Sequence, residues 1–127
     1  MDPVSDMFIR IKNSTCAGHP VVRLGYSKFK HEIAKALERA HVVGKTERKG
    51  RKVKKILEIQ LPDKDSAMSI CHVMFFSKPS RRLYASAKKL RSSRRRGVII
   101  VSTPQGVMTV EEARKANVGG MLIAEVW

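Results

Sequence analysis

The chain reads as an α+β protein of two small α/β domains sharing an interface, each with a short sheet and one or two helices. Three observations predict this. Helical and strand-like hydrophobic periods alternate along the chain rather than one of them running throughout. A polar stretch containing Pro62, Asp63, Asp65 and Ser66 interrupts the pattern near the middle. The length of 127 residues suits one domain, or two small ones around a shared core. The expected division is an N-terminal α/β domain at 1–61, a linker at 62–66 and a C-terminal α+β domain at 67–127.

Taken in order, Asp2 suits an N-cap and Pro3 the first helical position. Val4, Met7, Phe8 and Ile11 then recur on one helical face, and the helix is expected to end before Gly18. Residues 21–24 read as a short strand. Ser27 caps a second helix with Phe29, Ile33, Ala36, Leu37 and Ala40 on its apolar side. Its other side carries Lys28, Lys30, His31, Lys35 and Arg39, and Gly44 is the expected stop. Leu57, Ile59 and Leu61 alternate with Glu58 and Gln60, so 42–61 reads as a hairpin turning at Gly50. Its tip is basic, with Lys45, Arg48, Lys49, Arg51, Lys52, Lys54 and Lys55 against Glu47.

The second unit opens with an apolar strand at 70–77, a break at 78–80 and a short segment through Leu83 and Tyr84. Val98, Ile99, Ile100 and Val101 form an apolar β-branched run that suits a strand buried on both faces. A polar loop at 102–106 follows, with the fixed φ of Pro104 and the freedom of Gly106. Thr109 and Glu112 then spell a capping box for a short helix with Arg114 and Lys115 in its last turn. That helix is expected to stop before Gly119 and Gly120, and 121–127 to form a final strand. The unit displays Ser, Thr and Gln side chains at the tip of a rigid scaffold.

Charge narrows the partner. Twenty-six Lys and Arg face 11 acids, a net charge of +15, which calls for a polyanion. No apolar run approaches the roughly 20 residues that span a bilayer, and Asp2 and Asp6 flank the first apolar residues, unlike a signal peptide. A membrane surface is therefore not expected as partner. Two cysteines, Cys16 and Cys71, fit a reducing compartment. Between 78 and 96 there are nine Lys or Arg and no acid, whereas 97–127 holds two basic and three acidic residues. The hydroxyl-bearing tip is thus flanked by basic segments without being basic itself. Lys and Arg neutralise phosphates without reading sequence, while hydroxyls both donate and accept and so suit a ribose 2′-OH and the wide minor groove of RNA. Tyr84 could stack on an unpaired base as readily as it could pack in a core.

Catalysis finds little support. Cys71 and His72 are neighbours that a strand would point to opposite faces. Cys16 with His19 lacks a second pair to complete a metal site, and Ser86 with Lys89 lacks companion motifs. No glycine-rich phosphate loop or zinc-finger spacing is present. The chain is expected to be no enzyme, with no cofactor, no metal and no small-molecule substrate.

Several motifs in the right order carry a resemblance. Ser102-Thr103, Gly106-Val107-Met108-Thr109, Glu112-Ala113-Arg114, Val118-Gly119-Gly120 and Val126-Trp127 look like the S-eight family of small-subunit ribosomal proteins. The opening Asp2 to Met7 with Arg10, Ile11 and Asn13 is similar to that family's, as are Ser27-Lys28 with Lys30, and Ser77-Lys78-Pro79 with Arg82-Leu83-Tyr84. The resemblance implies a two-domain α+β protein that binds the central domain of small-subunit ribosomal RNA during assembly, with small-subunit protein five as a neighbour. It implies that Ser102, Thr103, Gln105 and Gly106 face the minor groove of an irregular RNA helix, with Lys28, Lys30, Lys78, Arg82 and Tyr84 around them. Charge adds Arg81, Arg94, Arg95 and Arg96 to that set. Pro104, Ser80 and Met121 depart from the family's pattern, and 85–96 is richer in arginine than its usual counterpart. The expected location is the small ribosomal subunit, in a bacterial cytoplasm or an organelle. A regulatory RNA- or DNA-binding protein acting off the ribosome is the alternative from a different class.

Overall fold

A computed structural model describes residues 3–51, 54–63, 70, 72–77, 80–95 and 97–127. Helix α1 (Pro3–Cys16) leads to β1 (Val21–Gly25), α2 (Lys28–Arg39), β2 (Thr46–Arg51) and β3 (Lys54–Gln60). The second half holds β4 (Val73–Phe75), β5 (Leu83–Ala85), a single 3₁₀ turn (Ala87–Lys89), β6 (Val98–Thr103), β7 (Gly106–Thr109), α3 (Val110–Lys115) and β8 (Gly120–Val126). The strands form two antiparallel sheets, β1-β3-β2 and β4-β8-β6-β7, with β5 also pairing to β8. This is the α+β fold that the alternating periods predict.

Both helical faces form as their spacing requires. Met7, Phe8 and Ile11 of α1 are buried, as are Ile33, Ala34, Ala36 and Leu37 of α2. Ser27 Oγ accepts from the Lys30 amide 3.1 Å away and starts α2. Leu57 and Ile59 point inward from β3, while Glu58 faces out to Arg23 and Lys49.

The strand at the centre of the second half is buried on both faces, and the two faces serve different clusters. Ile100 joins a core with α1, α2, β1 and β3, so that core is continuous between the two halves. Ile99 and Val101 join a smaller cluster with Leu90, Val110 and Ala113 on the far side of the sheet. Phe8 meets Phe75 edge-on at 5.9 Å, stitching α1 to β4.

Several boundaries differ from the sequence reading. Helix α2 ends at Arg39, and His41, not Gly44, takes the left-handed conformation (φ 62°) that lets the Val42 amide reach the Leu37 carbonyl. Asn117 (φ 56°) does the same for α3, sending the Val118 amide to Ala113. Gly119 and Gly120 instead permit close approach between strands: a Cβ on Gly120 would lie 2.0 Å from the Ser102 carbonyl oxygen. Gly50 lies inside β2 opposite Lys55, and the hairpin's connection, 52–53, is outside the described residues. The strand expected at 70–77 is confined to Val73–Phe75, with Ser77 Oγ turning the chain by accepting from the Leu83 amide. Cys71, the Asp2 cap and residues 64–66 of the expected linker are outside the described residues.

Candidate nucleic-acid interface

The stretch expected to be a free loop at 102–106 is a β-hairpin. Ser102 and Thr103 end β6, Pro104 and Gln105 make a two-residue turn, and Gly106 opens β7, a strand the sequence reading passed over. Gly106 has φ of 120°, which a residue with a Cβ rarely adopts. The Thr103 hydroxyl donates to the Gly106 carbonyl at 2.8 Å and accepts from the Gln105 amide at 3.1 Å. Its side chain is nearly buried, so this hydroxyl builds the turn. Ser102 is half-buried, and its hydroxyl has no partner among the described residues. Pro104 and Gln105 are exposed at the tip.

Strand register then assembles the site. Tyr84 pairs with Met121, Met121 with Ser102, and Ser102 with Val107. Residues directly opposite in a ladder share a face. Tyr84 and Ser102 therefore stand on one face, two inter-strand spacings apart, about 10 Å. That face is turned toward the first half, since Val107 and Met121 pack in the larger core. Tyr84 is 72% exposed at its edge, which removes the core alternative for this ring. The row depends on an irregularity between Ile100 and Val101, where the partner in β8 skips from Ala124 to Leu122. Without that bulge Met121, and Tyr84 with it, would face away from Ser102.

Helix α2 supplies the basic border. The Glu32 carboxylate lies near the position a Gly106 Cβ would take, so the hairpin packs against the α2 surface. An open groove of about 490 Å³ runs between α2 and β7, with Lys28, Lys35, Arg39, Gln105 and Met108 among its walls. Lys28 is exposed; Lys30 donates to the Gly25 carbonyl at 3.3 Å. His31 sits in the same wall, its Nε2 buried and without a partner among the described residues. Burial, then the positive charges of Lys35 and Arg48, hold the His31 imidazole below its ordinary range. A neutral ring leaves Lys28 as the groove's cation without a carboxylate among the described residues, since Lys35 lies 3.6 Å from Glu38 and Arg39 is held by Glu112. Arg81 and Arg82 are exposed beside β5, and Arg82 reaches a crevice shared with Val4, Phe29 and Met121.

Arg95 has a different place. Its Nη1 lies 3.0 Å from Oε1 of Glu125, a buried carboxylate on β8, and its guanidinium covers the Trp127 ring at 4.5 Å. Ser93 donates to the other Glu125 oxygen and accepts from the Arg95 and Gly97 amides. Trp127 in turn stacks on His72 at 5.4 Å. The arginine expected to hold phosphate is thus engaged in anchoring its own segment. Arg94 is exposed, while Lys78 and Arg96 are outside the described residues. The basic hairpin of the first half is also partly neutralised, Lys45 by Glu47 and Lys49 by Glu47 and Glu58. Arg48 and Lys55 flank the Tyr26 ring at 5.6 and 5.9 Å, a pairing the sequence reading did not foresee.

Among the described residues no cluster of His, Cys, Asp and Glu could hold a metal, and no helix is long and apolar enough to cross a membrane. What the fold presents is a basic surface with neutral hydrogen-bonding groups and one aromatic ring at a sheet edge. This defines a small α+β protein with a basic, hydrogen-bonding surface. The family model described as Ribosomal protein S8 matches residues 2–127, and the chain belongs to that family. It is 40% identical to "Small ribosomal subunit protein uS8" of Thermus aquaticus over 99% of this chain and 98% of that protein. The proteins of the same description from Dictyoglomus turgidum and Mycoplasmopsis agalactiae are each 39% identical over 99% of this chain and 97% of theirs.

Proposed function

We propose that the chain is a structural constituent of the small ribosomal subunit that binds small-subunit ribosomal RNA, with a binding and not a catalytic role. The observation that carries this is the row in which the exposed Tyr84 and the half-buried Ser102 share one sheet face, with Gln105 and Lys28 in the walls of the groove along α2. Tyr84 offers a ring for an unpaired base or a ribose, and Ser102 a hydroxyl for a base edge or a 2′-OH. Gln105 extends the polar edge at the tip. Lys28, Lys30, Arg81, Arg82 and Lys78 supply phosphate contacts that orient the RNA. Thr103 and Gly106 shape the turn that presents them. Halves 1–61 and 67–127 act as one support, the first giving α2 and the second the sheet. The bacterial relatives favour a bacterial-type ribosome, and the full-length likeness favours the central domain of the RNA and protein five as neighbours.

Sucrose-gradient sedimentation of a cell extract tests the reading. The chain is expected with the small subunit at a salt concentration that strips loosely held cations. A chain found only in the free fractions, with RNA-binding activity intact, would point to a regulator acting off the ribosome.

A further inference from the structure

The basic residues do not all surround the hairpin. Ile99 pairs with Glu125 on the sheet face that carries the smaller cluster, opposite the face of Tyr84 and Ser102. On that opposite side lie Lys88, Lys89, Arg91, Arg94, Arg114 and Lys115, all exposed. None of them is paired with a carboxylate among the described residues. They come from two separate segments that the fold brings together: Arg114 Nη1 lies 3.3 Å from Ser92 Oγ, joining α3 to the arginine segment. Of the carboxylates near this cluster, Glu125 is buried and already held by Arg95 and Ser93, Glu112 is gripped by Arg39, and Glu111, exposed in the first turn of α3, makes no ion pair among the described residues. Six unpaired cations on a fixed surface create a positive field that an anion of similar extent complements.

We propose that this patch is a second RNA contact, taking the phosphate backbone of a duplex other than the one met by the hairpin face. The inference rests on the reading of the chain as an RNA-binding protein. Its chemistry is that of backbone recognition: Lys and Arg with Ser92 between them, and among the described residues of this face no exposed aromatic ring to stack on a base. The Arg95–Glu125–Trp127 clasp is what makes the patch a surface, because it pins the middle of the arginine segment to β8 and leaves Arg91 and Arg94 outside. The sheet would then sit between two RNA segments and fix their separation.

The test uses the full chain, a small-subunit rRNA transcript immobilised at one end, and a labelled RNA duplex of unrelated sequence in solution. The parent protein should bind the transcript and recruit the duplex to it. The triple variant Lys89→Gln/Arg91→Gln/Arg114→Gln should bind the transcript within about threefold of the parent while recruiting at least tenfold less duplex. Its duplex affinity should lose about two to three from the slope of log K on log salt, at roughly 0.7 to 0.9 for each of three phosphate contacts. All three side chains are exposed, so the melting temperature should stay within a degree or two. Unchanged recruitment and slope would overturn the proposal. So would a variant that recruits duplex normally yet falls out of assembled small subunits, since an acidic protein would then be the occupant. The double variant Ser102→Ala/Tyr84→Ala separates the two readings: it should keep duplex binding and lose preference for the transcript. If it instead holds the transcript as the parent does, the hairpin reading fails while the patch is judged on the triple variant alone.

Discussion

Arg39 near the end of α2 grips Glu112 of α3, with Nε 2.9 Å from one carboxylate oxygen and Nη2 3.4 Å from the other. The same carboxylate accepts the Thr109 amide at 2.9 Å, while Thr109 Oγ1 accepts the Glu112 amide at 3.2 Å. One side chain thus closes the capping box and ties the two halves of the chain together. Burial pushes the Glu112 carboxyl up, but the Arg39 hydrogen bond, the Thr109 amide and the Arg39 charge outweigh it and leave the group below its ordinary value. A carboxyl held low in the folded state stabilises above the unfolded value of about 4.3, and that contribution is lost as pH falls through the lower folded value. Both side chains are more than a third exposed, so the pair is worth at most about 1 kcal/mol. Urea midpoints measured from pH 6 to pH 3 should fall more shallowly in Glu112→Gln than in the parent. Parallel curves would show that the pair contributes nothing.

That capping box was legible in the sequence because all its partners lie within four residues. The apolar faces of α1, α2, β3 and β6 were legible for the same reason, as local periods. What escaped depends on distant pairing. Nothing local shows that Arg95 meets Glu125, 30 residues on, so its charge alone suggested a phosphate ligand. Strand β7 has only four residues and runs straight into the Thr109 cap, too short for its alternation to stand out from a loop. Glycine, the usual left-handed residue, marks the end of α1 correctly at Gly18, whereas His41 and Asn117 take that conformation after α2 and α3. The row joining Tyr84 to Ser102 follows from a bulge in the β6–β8 ladder, and no sequence pattern fixed it.

The two hydroxyls at the hairpin should separate by stability. Thr103→Val keeps the shape but leaves the Gln105 amide and the Gly106 carbonyl without their partner, so it should cost about 1–2 kcal/mol. Ser102→Ala removes a hydroxyl with no partner among the described residues and should stay within about 0.5 kcal/mol of the parent. Equal melting temperatures for the two variants would contradict the turn geometry.

Ile100 is fully buried at the junction of the two halves. Ile100→Ala should cost about 2–5 kcal/mol through the cavity it leaves, and calorimetry should still show one transition. Two separated transitions would mean that the halves do not share that core.

Arginines in the 91–95 segment should behave unequally. Arg95→Ala leaves Glu125 buried with Ser93 as its remaining side-chain partner, and should cost about 1–3 kcal/mol. Arg91→Ala removes an exposed charge and should leave the denaturation midpoint almost unchanged. A neutral Arg95→Ala would show that the clasp does not hold.

The most direct measurement compares RNA selectivity across Tyr84→Ala, Ser102→Ala and the parent, using a small-subunit rRNA transcript and an unrelated hairpin of equal length at two salt concentrations. If the Tyr84–Ser102 face reads RNA, each variant should lose about 1–3 kcal/mol, roughly five- to hundredfold, on the transcript and almost nothing on the unrelated hairpin. The salt slope should stay as in the parent, because neither residue carries charge. Folded variants that bind both RNAs as the parent does would contradict the account, leaving the face as a sheet edge with no part in recognition.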